Sequence, residues 1–433
     1  MAVFRAGAAG FEERLRGIAE RGGAGDGDVE PAVREILADV RRRGDAALVE
    51  ATLRFDRVDV GGGLEIGKRE LREAEAALDP RARRALRLAA RRIRDFHRRQ
   101  VQRSWRYRDA SGLVLGQKVE PLERVGVYVP GGRAAYPSSV LMNVIPAKVA
   151  GVGEVIAVSP PSPMEGSYPA VLAAASIAGV DRFFRVGGAQ AVAALAHGTE
   201  TVPRVDKIVG PGNVYVQTAK RLVFGRVGID NFAAASEVLV VADGSARPEW
   251  VAADLLSQAE HDEMASAVCV TPSAAMAEAV AREVGRQLAA LPRRETAERS
   301  LGRFGGVFVV DGMRQALEIV NTIAPEHLEL SVEKPEKWLA GVRHAGAVFL
   351  GEHAPEALGD YVAGPNHVLP TGATARFGSP LGVYDFVKRM SIIGGAERAL
   401  RRLGPAVVCL AELEGLEAHA RSVKVRLRRG RKR

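Results

Sequence analysis

The sequence predicts an α/β protein built from two similar parallel-sheet units, with small helical modules at its N- and C-terminal ends. Three observations predict it. Short β-rich runs alternate with helical ones from about residue 113 to residue 350, the pattern of strands joined by crossover helices. Glycine is abundant, at 47 of 433 residues, as tight turns and close helix–sheet packing require. Aromatics make up only 5%, so the core must be built from Ala, Val, Leu and Ile.

The elements follow in order. Residues 10–22 and 28–54 read as helices, the second from the spacing of Val33, Ile36, Leu37, Val40 and Leu48. Residues 71–103 are helical and broken near Asp79-Pro80, where Pro80 suits the first turn of a new helix. Strands are then expected at 126–129, 155–158, 182–186 and 207–209, with helices at 140–150, 169–178 and 189–196. A second series places strands at 237–242, 267–271, 306–310, 327–332 and 347–350. Its helices are expected at 248–259, 274–291, 313–323 and 334–342. Helical patterns at 385–389 and 397–403 and a helix carrying Glu414 and His419 close the chain. The expected organisation is therefore a helical region 1–119 (part of it packing with the second sheet unit), α/β units 120–235 and 236–382, and a C-terminal module 383–433.

Composition, at 47% hydrophobic and 26% charged, is that of a soluble globular enzyme. The N-terminus lacks a basic stretch followed by an apolar core, and no run of about 18 apolar residues occurs. A cytoplasmic protein with no membrane partner is expected. Cys269 and Cys409 sit in apolar runs and read as buried, reduced thiols in strands. The net charge is +9, but the tail 426–433 carries six of those charges and leaves +3 without it. Residues 81–100 hold nine arginines against one acid, Asp95. Both read as solvated basic surface, and no nucleic-acid reader motif accompanies them.

Chemistry-bearing residues gather in four distant segments: Gln258 with His261, Glu326-His327, Asp360 with Asn366-His367, and Glu414 with His419. Four of the chain's eight histidines fall there. Imidazole, carboxylate and amide oxygen together suit a divalent ion such as zinc. Gln258 and His261, three apart at a helix end, can reach one ion. Adjacent residues of a strand face opposite ways, so Glu326 must lie on the turn before His327 if both serve one substrate. A Glu beside a His at a strand mouth is an acid/base pair. No complete Gly-x-Gly-x-x-Gly run exists, because Ile156 and Tyr215 stand at the last position of the two partial matches. Three glycine-bearing strand-end loops remain candidates for approaching a phosphate: 128–132, 187–190 and 210–213.

These residues resemble the histidinol dehydrogenase family, over nearly the whole chain. The runs that carry the resemblance are 126–132, 187–196, 210–215, 255–261, 321–330, 359–371 and 414–420. The resemblance implies two incomplete Rossmann-like units and a four-electron oxidation of L-histidinol through L-histidinal to L-histidine, with two NAD reduced. It implies zinc held by Gln258, His261, Asp360 and His419, and acid/base work by Glu326 and His327. Substrate contacts are implied for Ser236, His367 and Glu414 as well as for His327 and the four metal positions. NAD contacts are implied for Tyr128, Gln190 and Asn213. An intertwined homodimer is implied too, with His419 and Glu414 donated across subunits.

Four positions depart from the family pattern. Ala233-Ala234-Ala235 precedes Ser236-Glu237 where Gly-Pro before Ser-Glu is usual. Ala373 replaces a second glycine, and His197 a common tyrosine. If the position of Ala234 needs a positive φ, alanine there costs about 1 kcal/mol. A related dehydrogenase acting on another alcohol, such as a sulfonated diol, would lack the reason to keep Glu326, His327 and Glu414 together. A metal-dependent hydrolase with Glu326 activating water would have no use for the nucleotide loops.

Overall fold

The computed structural model describes residues 1–21, 29–61, 63–131, 136–161, 168–231 and 235–428. It divides into two compact units. One comprises Met1–Gln100 with Leu122–Phe386, and the other Val101–Pro121 with Val387–Arg433.

The first unit holds two six-stranded sheets. One has the order Glu65–Ile66, Arg182–Arg185, Glu154–Ser159, Arg124–Tyr128, Lys207–Val209, Gly228–Ile229, and all its pairings but the first are parallel. Its strands are nearly continuous apolar runs because both faces are covered. Val125, Val127, Val155 and Ala157 point into one buried cluster, whereas Tyr128, Ile156 and Val158 point into the other. Chain order reverses between Arg124–Tyr128 and Lys207–Val209, the switch point where such sheets open a crevice at their carboxyl ends.

The second sheet is wholly parallel, in the order Val3–Arg5, Gly306–Val309, Ser266–Thr271, Glu237–Ala242, His327–Ser331, Ala347–Leu350. Val238, Val240 and Cys269 fill one face, and Leu239, Val241, Leu328 and Leu330 fill the other. The helix Pro248–Ala259 covers the first of these faces through Val251, Ala252, Leu255 and Leu256. The N-terminal helix Phe11–Ala19 covers the second through Phe11, Leu15 and Ile18.

Several boundaries differ from expectation for physical reasons. The helix expected over 28–54 is two, Glu30–Arg43 and Asp45–Asp56, broken at Gly44 with φ 57°. A Cβ on Gly44 would meet Glu200 Oε2 at 2.2 Å, so the chain turns there to admit that carboxylate. The break near residue 79 is where it was expected: Asp79 Oδ1 accepts from the N–H groups of Arg81 (2.9 Å) and Ala82 (3.1 Å), starting the helix Pro80–His97. Only Glu336–Leu339 of the expected helix 334–342 forms. Three helices went unread, Val214–Val223, Arg294–Phe304 and Glu356–Tyr361.

In the second unit, residues expected to be helical at 385–389 instead lead into the strand Val387–Gly394. It pairs antiparallel with Val114–Pro121, which pairs in turn with Trp105–Arg108. The helix Glu397–Leu413 follows, and Cys409 lies exposed on it rather than buried in a strand; Cys269 is buried in a strand as expected. Glu414 ends that helix, Gly415 turns with φ 70°, and His419 belongs to a separate helix, Glu417–Arg428. Among the described residues no helix is long and apolar enough to cross a membrane.

Candidate active site

The second sheet reverses its chain order between Glu237–Ala242 and His327–Ser331, and Glu237 and His327 are the first residues of those strands. In the pairing Val238 lies opposite His327. Leu328 and Leu330 take the far face, so His327 and Glu329 point to the face that the helix Pro248–Ala259 covers. Gln258 sits in the last turn of that helix. A helix joining two parallel strands runs antiparallel to them, so Pro248–Ala259 and Met313–Ile323 end at this same amino-terminal edge. Helix C-termini carry partial negative charge and favour a cation.

Glu237 and Glu326 lock reciprocally. The Glu326 N–H donates to Glu237 Oε2 (3.0 Å), and the Glu237 N–H donates to Glu326 Oε2 (2.9 Å). The other Glu237 oxygen accepts from the Gly372 N–H (2.9 Å) and pairs with Arg21 (2.9 Å). Glu326 lies on the bend before the strand, which lets it share a site with His327. His327 Nδ1 stands 3.0 Å from the carbonyl oxygen of Glu237, an acceptor only, so Nδ1 carries the proton in the neutral ring. Nε2 is then the free lone pair. It is buried, has no hydrogen-bond partner among the described residues, and lies 3.6 Å from Asp360 Oδ1.

Glu356 joins this group, and the sequence reading missed it. Its Oε1 lies 3.7 Å from His327 Nδ1. The signal was available, since Glu356 and Asp360 are four apart on the helix Glu356–Tyr361 and share a face. With its amide oxygen facing the Glu237 N–H (3.0 Å), Gln258 turns its amide nitrogen to Glu356. The Glu356 N–H donates to Glu329 Oε1 (2.7 Å), and Glu329 stands beside Asp254. His367 Nδ1 lies 2.9 Å from the carbonyl oxygen of Asp360. His261 is exposed on the turn past the helix end rather than within the helix, and its N–H donates to Gln258 O (3.1 Å).

Burial shifts these groups strongly. It pushes the Glu326 carboxyl up to about 7 and Glu356 up to about 8, in each case against the pull of His327. Burial would push the His327 imidazolium down, but Glu356, Glu326 and Asp360 outweigh it and hold the ring well above 6.5, so Nε2 is a free base only where a bound cation would offset those carboxylates. Burial opposes ionisation of Asp360 too, yet His327, with His367 and His261 at longer range, keeps it below the usual carboxylate value. Acceptors therefore crowd around one imidazole. Ligand atoms of His327, Glu356 and Asp360 all lie within 4.8 Å of one another. A surplus of buried carboxylate beside two helix C-termini, with Gln258 and His261 at hand, is a donor set that fits a divalent cation.

The other expected positions fall elsewhere. Ser236 precedes the strand, and its carbonyl accepts from the Ser266 N–H (3.0 Å). Ala233 and Ala234 lie outside the described residues, and Ala235 is not among the residues with positive φ. Ala373 does have one, at 63°. Tyr128, Gln190 and Asn213 all stand at the carboxyl edge of the first sheet. The Tyr128 hydroxyl accepts from the Gly188 N–H (3.1 Å), and Asn213 Oδ1 caps the helix Val214–Val223 through the Val216 N–H (3.1 Å). Gln190 lines a cleft of about 410 Å³ whose walls include Ile36, Ala47 and Phe55. Gly210, between them, has φ 110°, and a Cβ there would strike Tyr128 O at 2.1 Å. Glu414 and His419 are exposed residues of the second unit.

A buried imidazole among carboxylates at the edge of a parallel sheet defines an α/β enzyme of the acid–base class. The chain belongs to the histidinol dehydrogenase family, whose model matches residues 19–427. It is 57% identical over 419 residues to the histidinol dehydrogenase of Syntrophotalea carbinolica, covering 96% of this chain and 97% of that one. Against the enzyme of Methylococcus capsulatus the identity is 58% over 405 residues, 93% of each chain. The crystal structure of histidinol dehydrogenase from Elizabethkingia anophelis matches with a TM-score of 0.93 at 34% identity, over 99% of this chain and 98% of that one.

Proposed function

We propose that the protein oxidises L-histidinol to L-histidine, the last step of histidine biosynthesis, with zinc bound and two NAD reduced in turn. His327 carries the proposal: its Nδ1 is committed to Glu237 O, and its Nε2 is buried among carboxylates with no hydrogen-bond partner among the described residues. Gln258, His261 and Asp360 would hold the zinc, with His419 of the partner subunit. Tyr128, Gln190 and Asn213 would hold NAD, and Ser236, His367 and the partner subunit's Glu414 the substrate. Bound zinc supplies an anchor for the substrate's nitrogens, and bound NAD the hydride acceptor.

The chain's own groups supply the proton chemistry. His327 Nε2 takes the hydroxyl proton as the first hydride leaves carbon, giving the aldehyde. Water must then add to that aldehyde before a second hydride can leave. Glu326, with a pKa near 7 and locked by Glu237, takes the proton from that water. As the water adds, the His327 imidazolium returns its proton to the aldehyde oxygen; release of the second hydride, with loss of a hydroxyl proton of the hydrate to His327, gives the acid, which ionises to the carboxylate. Burial of Glu326 and His327 limits loss of the reactive aldehyde to bulk solvent.

The test is NADH formed per L-histidinol consumed, on chelated protein and again after zinc is added. Two NADH per substrate, dependent on zinc, is the expected result. No NADH despite bound zinc would reject histidinol as substrate and move the assignment to another alcohol, with the loop before Ser236 as the cause.

A further inference from the structure

Arg21 is a buried charge that the proton chemistry does not use. Arg21 follows the helix Phe11–Ala19, and its side chain is only 3% exposed. That helix packs on the face of the second sheet away from His327, through Phe11, Leu15 and Ile18. Its end brings Arg21 round the amino-terminal edge of the strand Glu237–Ala242. There one guanidinium nitrogen reaches three acceptors: Glu237 Oε1 at 2.9 Å, Ala235 O at 2.5 Å and Ser236 O at 3.3 Å. The guanidinium carbon lies 5.7 Å from the centre of the Phe304 ring, which fixes the fork's plane from outside.

The acceptor side is as specific. Glu237 is buried, and its carboxylate spans two separate pieces of chain. Oε2 receives the Glu326 N–H and Oε1 the Gly372 N–H. The carbonyl of the same residue receives His327 Nδ1. Glu237 thus ties down the bend carrying Glu326, the turn at Gly372 and the ring of His327. Arg21 is the cation paired with that carboxylate, and it also ties down the two carbonyls preceding it. A buried charge deprived of its partner does not hold its position, because the uncompensated carboxylate must move or draw in water.

We propose that Arg21 is a positioning residue of the active site, fixing the Ala235–Glu237 segment and, through the Glu237 carboxylate, the placement of Glu326. The segment's role in substrate oxidation rests on the function proposed above; the mechanical link from Arg21 to Glu326 does not. A misplacement of about 1 Å in an acid/base group costs on the order of 10²-fold in rate.

The test compares the full-length zinc-loaded protein with Arg21→Met and Arg21→Lys, using two readouts. The first is amide hydrogen exchange. In R21M the amides of Glu326 and Gly372 should exchange faster, while those of residues 268–271, further along the neighbouring strand, keep their protection. The second is turnover. In R21M kcat should fall about 10²-fold with zinc content and the histidinol KM near the parent's, and millimolar guanidinium chloride should restore part of it. R21K keeps the charge without the fork and should lie between; it carries both readouts where the methionine variant does not fold. Unchanged exchange at Glu326 and Gly372 would overturn the proposal. So would a general loss of protection across the sheet with no guanidinium rescue, which would make Arg21 a structural residue only. If the parent protein makes no NADH from histidinol, the assigned function fails, and the exchange experiment still decides the role of Arg21.

Discussion

At the scale of single residues, the site works because its hydrogen bonds are mutually committed. His327 has one ring nitrogen spent on a backbone carbonyl, and that bond selects which nitrogen is the base. Ala373 shows the opposite, an uncommitted cost. It sits in the left-handed region at φ 63°, next to Gly372 at φ 61°, whose N–H serves Glu237. An L-residue with a Cβ pays about 1 kcal/mol there. Ala373→Gly should therefore stabilise the fold by up to about 1 kcal/mol, read as a rise in the midpoint of urea unfolding. A midpoint that falls would show that the loss of unfolded-chain restriction outweighs the relief. The residue types at 326, 327 and 360 were legible in the sequence because Glu, His and Asp beside turns carry few other uses. Glu356 was not, because a lone glutamate on a helix is ordinarily solvated. Only packing of its helix near His327 makes it part of the site.

At the scale of elements, periodicity located the strands of the two six-stranded sheets except the edge strands Val3–Arg5, Glu65–Ile66 and Gly228–Ile229. Buried parallel strands are continuous apolar runs, so Glu237–Ala242, Ser266–Thr271 and Lys207–Val209 announce themselves. Polar, exposed strands do not. Trp105–Arg108 and Val387–Gly394 alternate too weakly to separate from helix or loop; both pair with Val114–Pro121, which follows the first closely but lies far along the chain from the second. The short helix Glu356–Tyr361 presents Glu356 and Asp360 on one face, four residues apart. If Asp360 is a zinc ligand, Glu356 supports it and Gln258 from beside the ion. Glu356→Gln should then weaken zinc binding about 10- to 100-fold, measured by competition with a chelator whose colour reports free zinc. Parental affinity in E356Q would remove Glu356 from the metal's surroundings.

At the scale of the molecule, the proposed site needs residues from both ends of the chain. Asp360 and His327 lie in the first unit, whereas His419 and Glu414 lie in the second. In an intertwined dimer the second unit of one copy completes the site of the other. Mixing His327→Asn protein with His419→Asn protein after reversible dissociation should then restore about a quarter of parental activity, because half the random dimers carry one intact site. No recovery, with mixed dimers shown to form, would mean that each chain completes its own site.

From the chain alone come the α/β class, the two parallel sheets and the residue types able to do acid/base and metal chemistry. These follow from local patterns: the period of apolar residues, the glycines and prolines at turns, and the rarity of histidine. Tertiary structure alone decided that Glu237, Glu326, His327, Glu356 and Asp360 share one buried space, that His327 keeps a free Nε2, and that Arg21 reaches the same carboxylate from the other face of the sheet. The reason is physical. A side chain's charge state and role depend on the groups within a few ångströms of it, and sequence spacing does not encode distances between segments that meet only when the sheet assembles.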